Sequence, residues 1–102
     1  MSATEERQIR LLITDTDSTN PIYTAVEIGD FFTLESDNVK KAAALGLETI
    51  ASNEVLVMKR ITLLDLSTDG PAESAALIAR AKILRETADQ DAAAGALDWT
   101  PI

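Results

Sequence analysis

The chain has 102 residues, which suits one domain with a single modest core. It is 46% hydrophobic but only 4% aromatic, so Ala, Leu and Ile must build that core, as helical packing favours. Nine basic against seventeen acidic residues give a net charge of −8, which argues against sequence-specific nucleic-acid binding, and the absence of Cys and His removes disulfides, thiolate zinc sites and the commonest catalytic base.

The opening Met1-Ser2-Ala3-Thr4-Glu5-Glu6-Arg7 has early carboxylates and no apolar stretch, so it does not read as a signal peptide. Ser2 or Thr4 is placed to cap a first short helix, with Glu5 and Glu6 in its opening turn. Ile9, Leu12 and Ile13 then form one apolar face at i, i+3 and i+4. A polar loop, Asp15-Thr16-Asp17-Ser18-Thr19-Asn20, follows and ends at the helix-blocking Pro21. Thr24-Ala25-Val26-Glu27 is a capping box, and Tyr23 and Ile28 stand where a hydrophobic staple would place them. It predicts a second short helix to about Phe32 that buries Ile28, Phe31 and Phe32.

Ser36 or Asp37 is the expected cap of a long helix over 37–64. Val39, Ala43, Leu47, Ile50, Val57, Ile61 and Leu64 follow its helical stripe, while Leu45, Leu56, Met58 and Leu63 lie off it. A strand over Leu56–Leu66 is the competing assignment for this branched stretch, but Lys59-Arg60 interrupts it and the apolar spacing stays helical. Thr68-Asp69-Gly70-Pro71 stops one helix and starts another over 71–93, with Pro71 at its first position. Leu77, Ala81, Leu84 and Ala88 share one face of it, and Ile78 and Ile83 point elsewhere. Gly95 is the expected stop, leaving 1–95 as the domain and 96–102 as an irregular tail with the only Trp. The fold class is therefore all-α: a small bundle of two long antiparallel helices with two short N-terminal ones. No uncharged apolar run approaches the roughly 18–20 residues that span a bilayer, so no membrane partner is expected.

Few residues offer chemistry. Asp15-Thr16-Asp17-Ser18-Thr19 after Leu11-Leu12-Ile13 has the outline of a DxDx[TV] phosphatase nucleophile motif, in which one Asp attacks phosphorus and the other moves the proton. The doubly wound sheet that such an enzyme requires does not fit a helical remainder. An EF-hand reading fails too, since the loop positions that need Gly and Glu hold Asn20 and Val26. Glu27, Asp30, Glu35 and Asp37 read as caps and solvated charge; Lys40-Lys41, Lys59-Arg60 and Arg80, Lys82 and Arg85 read as helix surface or ion-pair partners. No catalytic, cofactor-binding or metal residue is expected. The chemistry that remains is association. Both long segments carry apolar residues on more than one face, which predicts burial against other chains. Leu56, Arg80, Ile83, Leu97, Trp99 and Ile102 are the expected partner or oligomer interface. Trp99 either folds back on its own helices or anchors in a groove of another chain, where buried Trp is a frequent hot spot.

Read in order, Arg10-Leu11-Leu12-Ile13-Thr14-Asp15, Pro21-Ile22-Tyr23-Thr24, Glu27-Ile28-Gly29-Asp30-Phe31-Phe32, Ala42-Ala43-Ala44-Leu45-Gly46-Leu47-Glu48-Thr49-Ile50-Ala51 and Asp65-Leu66-Ser67-Thr68-Asp69-Gly70, with a closing Ala/Leu/Arg helix, form a recognisable series. Over residues 8–90 this series resembles the small head–tail connector (adaptor) proteins of tailed bacteriophages. The resemblance implies a compact helical bundle and a ring of about a dozen copies, closed by heterologous contacts. Such a ring docks beneath the portal protein and supports a stopper or tail-completion protein, and DNA passes through it. The location implied is the virion neck, with the host cytoplasm during assembly. An acidic lumen would let DNA slide without counterion-release binding, and the basic points would face acidic surfaces of neighbouring subunits. An acidic helical regulatory or antitoxin-like module that binds one small basic protein is the alternative from another class. A metal-dependent phosphatase using Asp15 and Asp17 is a third.

Overall fold

The computed structural model describes the backbone of residues 1–98 and the side chains of residues 1–94. Among the described residues there are five helices and no strand: α1 (Ala3–Ile13), α2 (Ala25–Leu34), α3 (Val39–Ala51), α4 (Glu54–Leu64) and α5 (Gly70–Asp98).

The two short N-terminal helices begin as their sequences predict. Ser2 accepts from the Glu5 amide while Glu5 returns a bond to the Ser2 amide, and Thr24 and Glu27 do the same for α2. Thr14 closes α1 in the left-handed conformation, at φ 60°. Ile9, Ile13, Tyr23, Ile28 and Phe32 are buried, and the Tyr23 and Phe31 rings meet edge to face at 4.8 Å.

α3 is the helix around which the others assemble. It buries Ala42, Ala43, Ala44, Gly46, Leu47 and Ile50, a set too wide for one stripe, because α1, α2, α4 and α5 all pack on it. Its small residues set the spacing. At Gly46, a Cβ would already lie 3.6–3.7 Å from Tyr23, Ile13 and Phe31. The Gly46 carbonyl also accepts the Tyr23 hydroxyl at 2.7 Å.

The single helix expected over 37–64 is two helices. Asn38, rather than Ser36 or Asp37, caps α3. At Asn53 the chain turns extended and its side chain accepts from the Val55 and Leu56 amides, which starts α4 afresh. The Ser52 hydroxyl meanwhile donates to the Thr49 carbonyl. Ser-Asn-Glu is thus a stop and a cap, and the apolar periodicity running through it concealed the break.

Asp69 caps α5 by accepting from the Ala72 amide, so Pro71 sits in the first turn, where its missing N–H costs nothing. Leu77, Ala81, Leu84 and Ala88 are all buried, as their spacing predicts. Successive contacts of α5 with α3 run in opposite chain directions: Ser74 with Ala51, Arg85 with Glu48, Asp89 with Lys41 and Asp91 with Lys40. The helix continues through Gly95 to Asp98, so the irregular tail expected from residue 96 does not begin there. Among the described residues no helix is long and apolar enough to cross a membrane.

Candidate functional site

The loop that suggested a phosphatase or a calcium site is a structural lock. Asp15 is buried; its Oδ1 accepts from the Ile22 amide at 2.8 Å, and its Oδ2 accepts from the Tyr23 amide at 3.0 Å and Arg10 Nη1 at 2.9 Å. Arg10 also donates to the Tyr23 carbonyl and to Glu6. With its oxygens so occupied, Asp15 has no geometry for attack on phosphorus. Asp17 faces the other way and accepts from the Thr19 amide and hydroxyl, which hold its carboxyl below the usual range. Among the described residues no three acidic side chains converge as metal ligands would.

Two further cationic side chains tie elements together. Arg85 is a clamp: it donates to both oxygens of Glu48 on α3 and to both of Glu35 at the end of α2. Those bonds, to Glu48 first, raise its pKa further above the usual value. Lys59 donates to the Pro21 carbonyl and so joins α4 to the N-terminal loop. These basic residues are interior fasteners more than a charged face.

Arg60, the other member of that basic pair, is different. Its side chain is only 11% exposed, and Nη1 donates to the Ile13 carbonyl at the end of α1. Nε is buried and has no acceptor within hydrogen-bonding distance among the described residues. The nearest carboxylate is Glu73 on α5, whose side chain is 8% exposed and stops 4.0 Å away. Burial lowers the Arg60 pKa, and the charges of Glu73 and Asp15 oppose the shift. Both groups line a 300 Å³ pocket with Leu11, Leu12, Thr14, Leu47, Ala76, Leu77 and Arg80. The sequence carries no signal for this site: Lys59 and Arg60 are about 100° apart on a helix and could both face solvent.

The residues expected at an interface divide. Arg80 is exposed on the pocket rim, and Ile83, 54% exposed, lies three residues further along the same flank of α5. Leu56 is half-buried against the core, one turn before Arg60. The Leu97 side chain, Trp99 and Ile102 lie outside the described residues. Ile78, also exposed, is five residues before Ile83 and therefore about 140° around the helix. It lies one helical turn beyond Ser74, which lines a second groove, of 510 Å³, with Ala51, Val57, Met58 and Pro71. α5 therefore presents apolar surface on two opposed flanks, each beside a concavity.

Comparison of the chain with protein-family models, with curated proteins and with solved structures gave no match.

Proposed function

We propose that this chain is a structural subunit of a head–tail connector ring in a tailed bacteriophage, placed between the portal and a stopper or tail-completion protein. The observation that carries the reading is the pair of opposed apolar flanks on α5. A closed ring built from one kind of subunit needs two different complementary surfaces on each copy, since its contacts are heterologous. A symmetric dimer needs only one. Ile83 with the Arg60–Arg80 pocket supplies a surface for a neighbouring copy, and Ile78 with the Met58–Pro71 groove supplies a different one for the ring's other contacts. The series of motifs over residues 8–90 supports the same reading, and the net charge of −8 suits a passage through which DNA slides. On this reading the chain has no catalytic step and no cofactor, and Trp99 and Ile102 are anchors for the portal or a neighbouring copy.

The test is to quantify the chain by mass spectrometry in purified particles, relative to the major capsid protein. About a dozen copies per particle, retained in tailless DNA-filled heads, is the expected result for one closed ring. Absence from intact virions sinks the proposal and directs attention to a soluble partner in the cell.

A further inference from the structure

Asp30 stands at the centre of an outward face of α2. Val26, Asp30 and Leu34 follow one another at four-residue intervals; Val26 is 74% and Leu34 72% exposed, and Asp30 makes no ion pair among the described residues. The face reads apolar, carboxylate, apolar over about 12 Å. The pocket flank of α5 reads apolar, cation, apolar: Ala76, Arg80 and Ile83 over about 10 Å, with Leu11 of α1 beside them and Arg60 beneath. Arg80 makes no ion pair among the described residues, and Arg60 lines the same pocket with its pair to Glu73 stretched to 4.0 Å. The two faces match in length, in polarity order and in charge. Yet they do not meet within one molecule: among the described residues α2 and α5 do not pack on each other, and Arg85 reaches only Glu35 at the end of α2.

We propose that α2 of one copy lies along the pocket flank of α5 of the next, with the Asp30 carboxylate against Arg80 at the mouth of the pocket that Arg60 also lines. The partner is a second copy of this chain, and the contact rests on the ring reading: the α2 face and the pocket flank are the two heterologous surfaces that meet, and the Ile78 flank remains for the portal or the stopper. The carboxylate gives Arg80 the ion pair it lacks among the described residues, and Val26 and Leu34 cover Leu11 and Ile83 on either side. A charge pair inside an apolar surround fixes register while the apolar ends supply area, the division of labour usual at a specific interface.

Charge reversal tests it, read by sedimentation velocity from about 10 μM to about 1 mM. Both residues are exposed, so Asp30→Arg and Arg80→Asp leave the fold intact. Each variant alone should self-associate at least about thirty-fold more weakly than the wild type, the scale expected when an interfacial pair loses one partner. An equal mixture of the two should regain association, because Arg at 30 then meets Asp at 80 and the unaltered Asp30 meets the unaltered Arg80. The mixture has the wild type's mean charge, so a general electrostatic effect is controlled. A wild type that stays monomeric to 1 mM, a variant that associates like wild type, or a mixture as weak as either component overturns the contact. Particle counts separate this from the ring reading. Normal incorporation of Asp30→Arg sinks the contact and leaves the connector standing, whereas rescue by mixing in a chain absent from virions does the reverse.

Discussion

Two buried charge clusters flank the N-terminal half of this protein, and they are finished to different degrees. Around Asp15 each oxygen has its donors: two backbone amides and Arg10, all within 3.0 Å. Around Arg60 the ion pair is stretched to 4.0 Å and the Nε has no acceptor among the described residues. A buried charge with complete hydrogen bonding holds a fold in one arrangement; one left incomplete is costly unless something else completes it. The contrast assigns the first cluster to architecture and makes the second the place to look for a partner.

The largest effect that would break this comparison is at Asp15. Asp15→Ala strands the Ile22 and Tyr23 amides and leaves half-buried Arg10 with Glu6 as its remaining carboxylate. It should lower the unfolding free energy by about 3 kcal/mol or more, read as a lower urea midpoint at unchanged slope. A loss below about 1 kcal/mol would mean that water replaces the carboxylate easily, and the lock would be no lock. Next in size is Tyr23, whose hydroxyl crosses from the same loop to the Gly46 carbonyl. Tyr23→Phe should cost about 1 kcal/mol. It should also change the alkaline limb of stability. Burial first, then the charges of Glu27 and Asp15, push the phenol above its ordinary 10.0. The folded pKa exceeds the unfolded one, so its contribution is complete below pH 10 and is lost as pH rises through the folded value. Urea midpoints measured from pH 9 to about 11 should therefore fall more steeply for wild type than for Tyr23→Phe.

Much of the architecture was legible from residue spacing and caps. Capping boxes reveal themselves because two side chains and two amides must sit three residues apart, and the face of Leu77, Ala81, Leu84 and Ala88 is set by helical geometry alone. Ser52-Asn53 was harder. A helix and its successor can share an apolar period across a break, so the stripe from Val39 to Leu64 gave no warning, and only the capping chemistry of Asn53 marks the new start. Asp15 was legible only in part: the helical remainder rules out the catalytic outline of its spacing from Asp17, but the partners that occupy it, the Ile22 and Tyr23 amides, are backbone groups to which composition is blind. Arg60 was the least legible. Its burial depends on α1 ending, at Ile13, where the guanidinium can reach, and its distance from Glu73 depends on where α5 packs. Neither is a property of the local sequence.

The smallest effect on stability should come from the unfinished cluster, and it sharpens the contrast most. Arg60→Met alone is a poor probe, since it leaves the Glu73 carboxylate buried beside apolar neighbours. The paired change Arg60→Met with Glu73→Leu removes both charges and keeps the volume. Replacement of a buried ion pair by packed apolar side chains is often neutral or stabilising, and here the pair is long and one donor is already unmatched. The lost bond to the Ile13 carbonyl works against that gain, so the urea midpoint should stay within about 1 kcal/mol of wild type. Self-association should stay far closer to wild type than in Arg80→Asp, because Arg80 still meets a neighbour's Asp30. A loss of about 3 kcal/mol or more would put Arg60 in the same class as Asp15, and the pocket would then be a fastener like the Arg85 clamp.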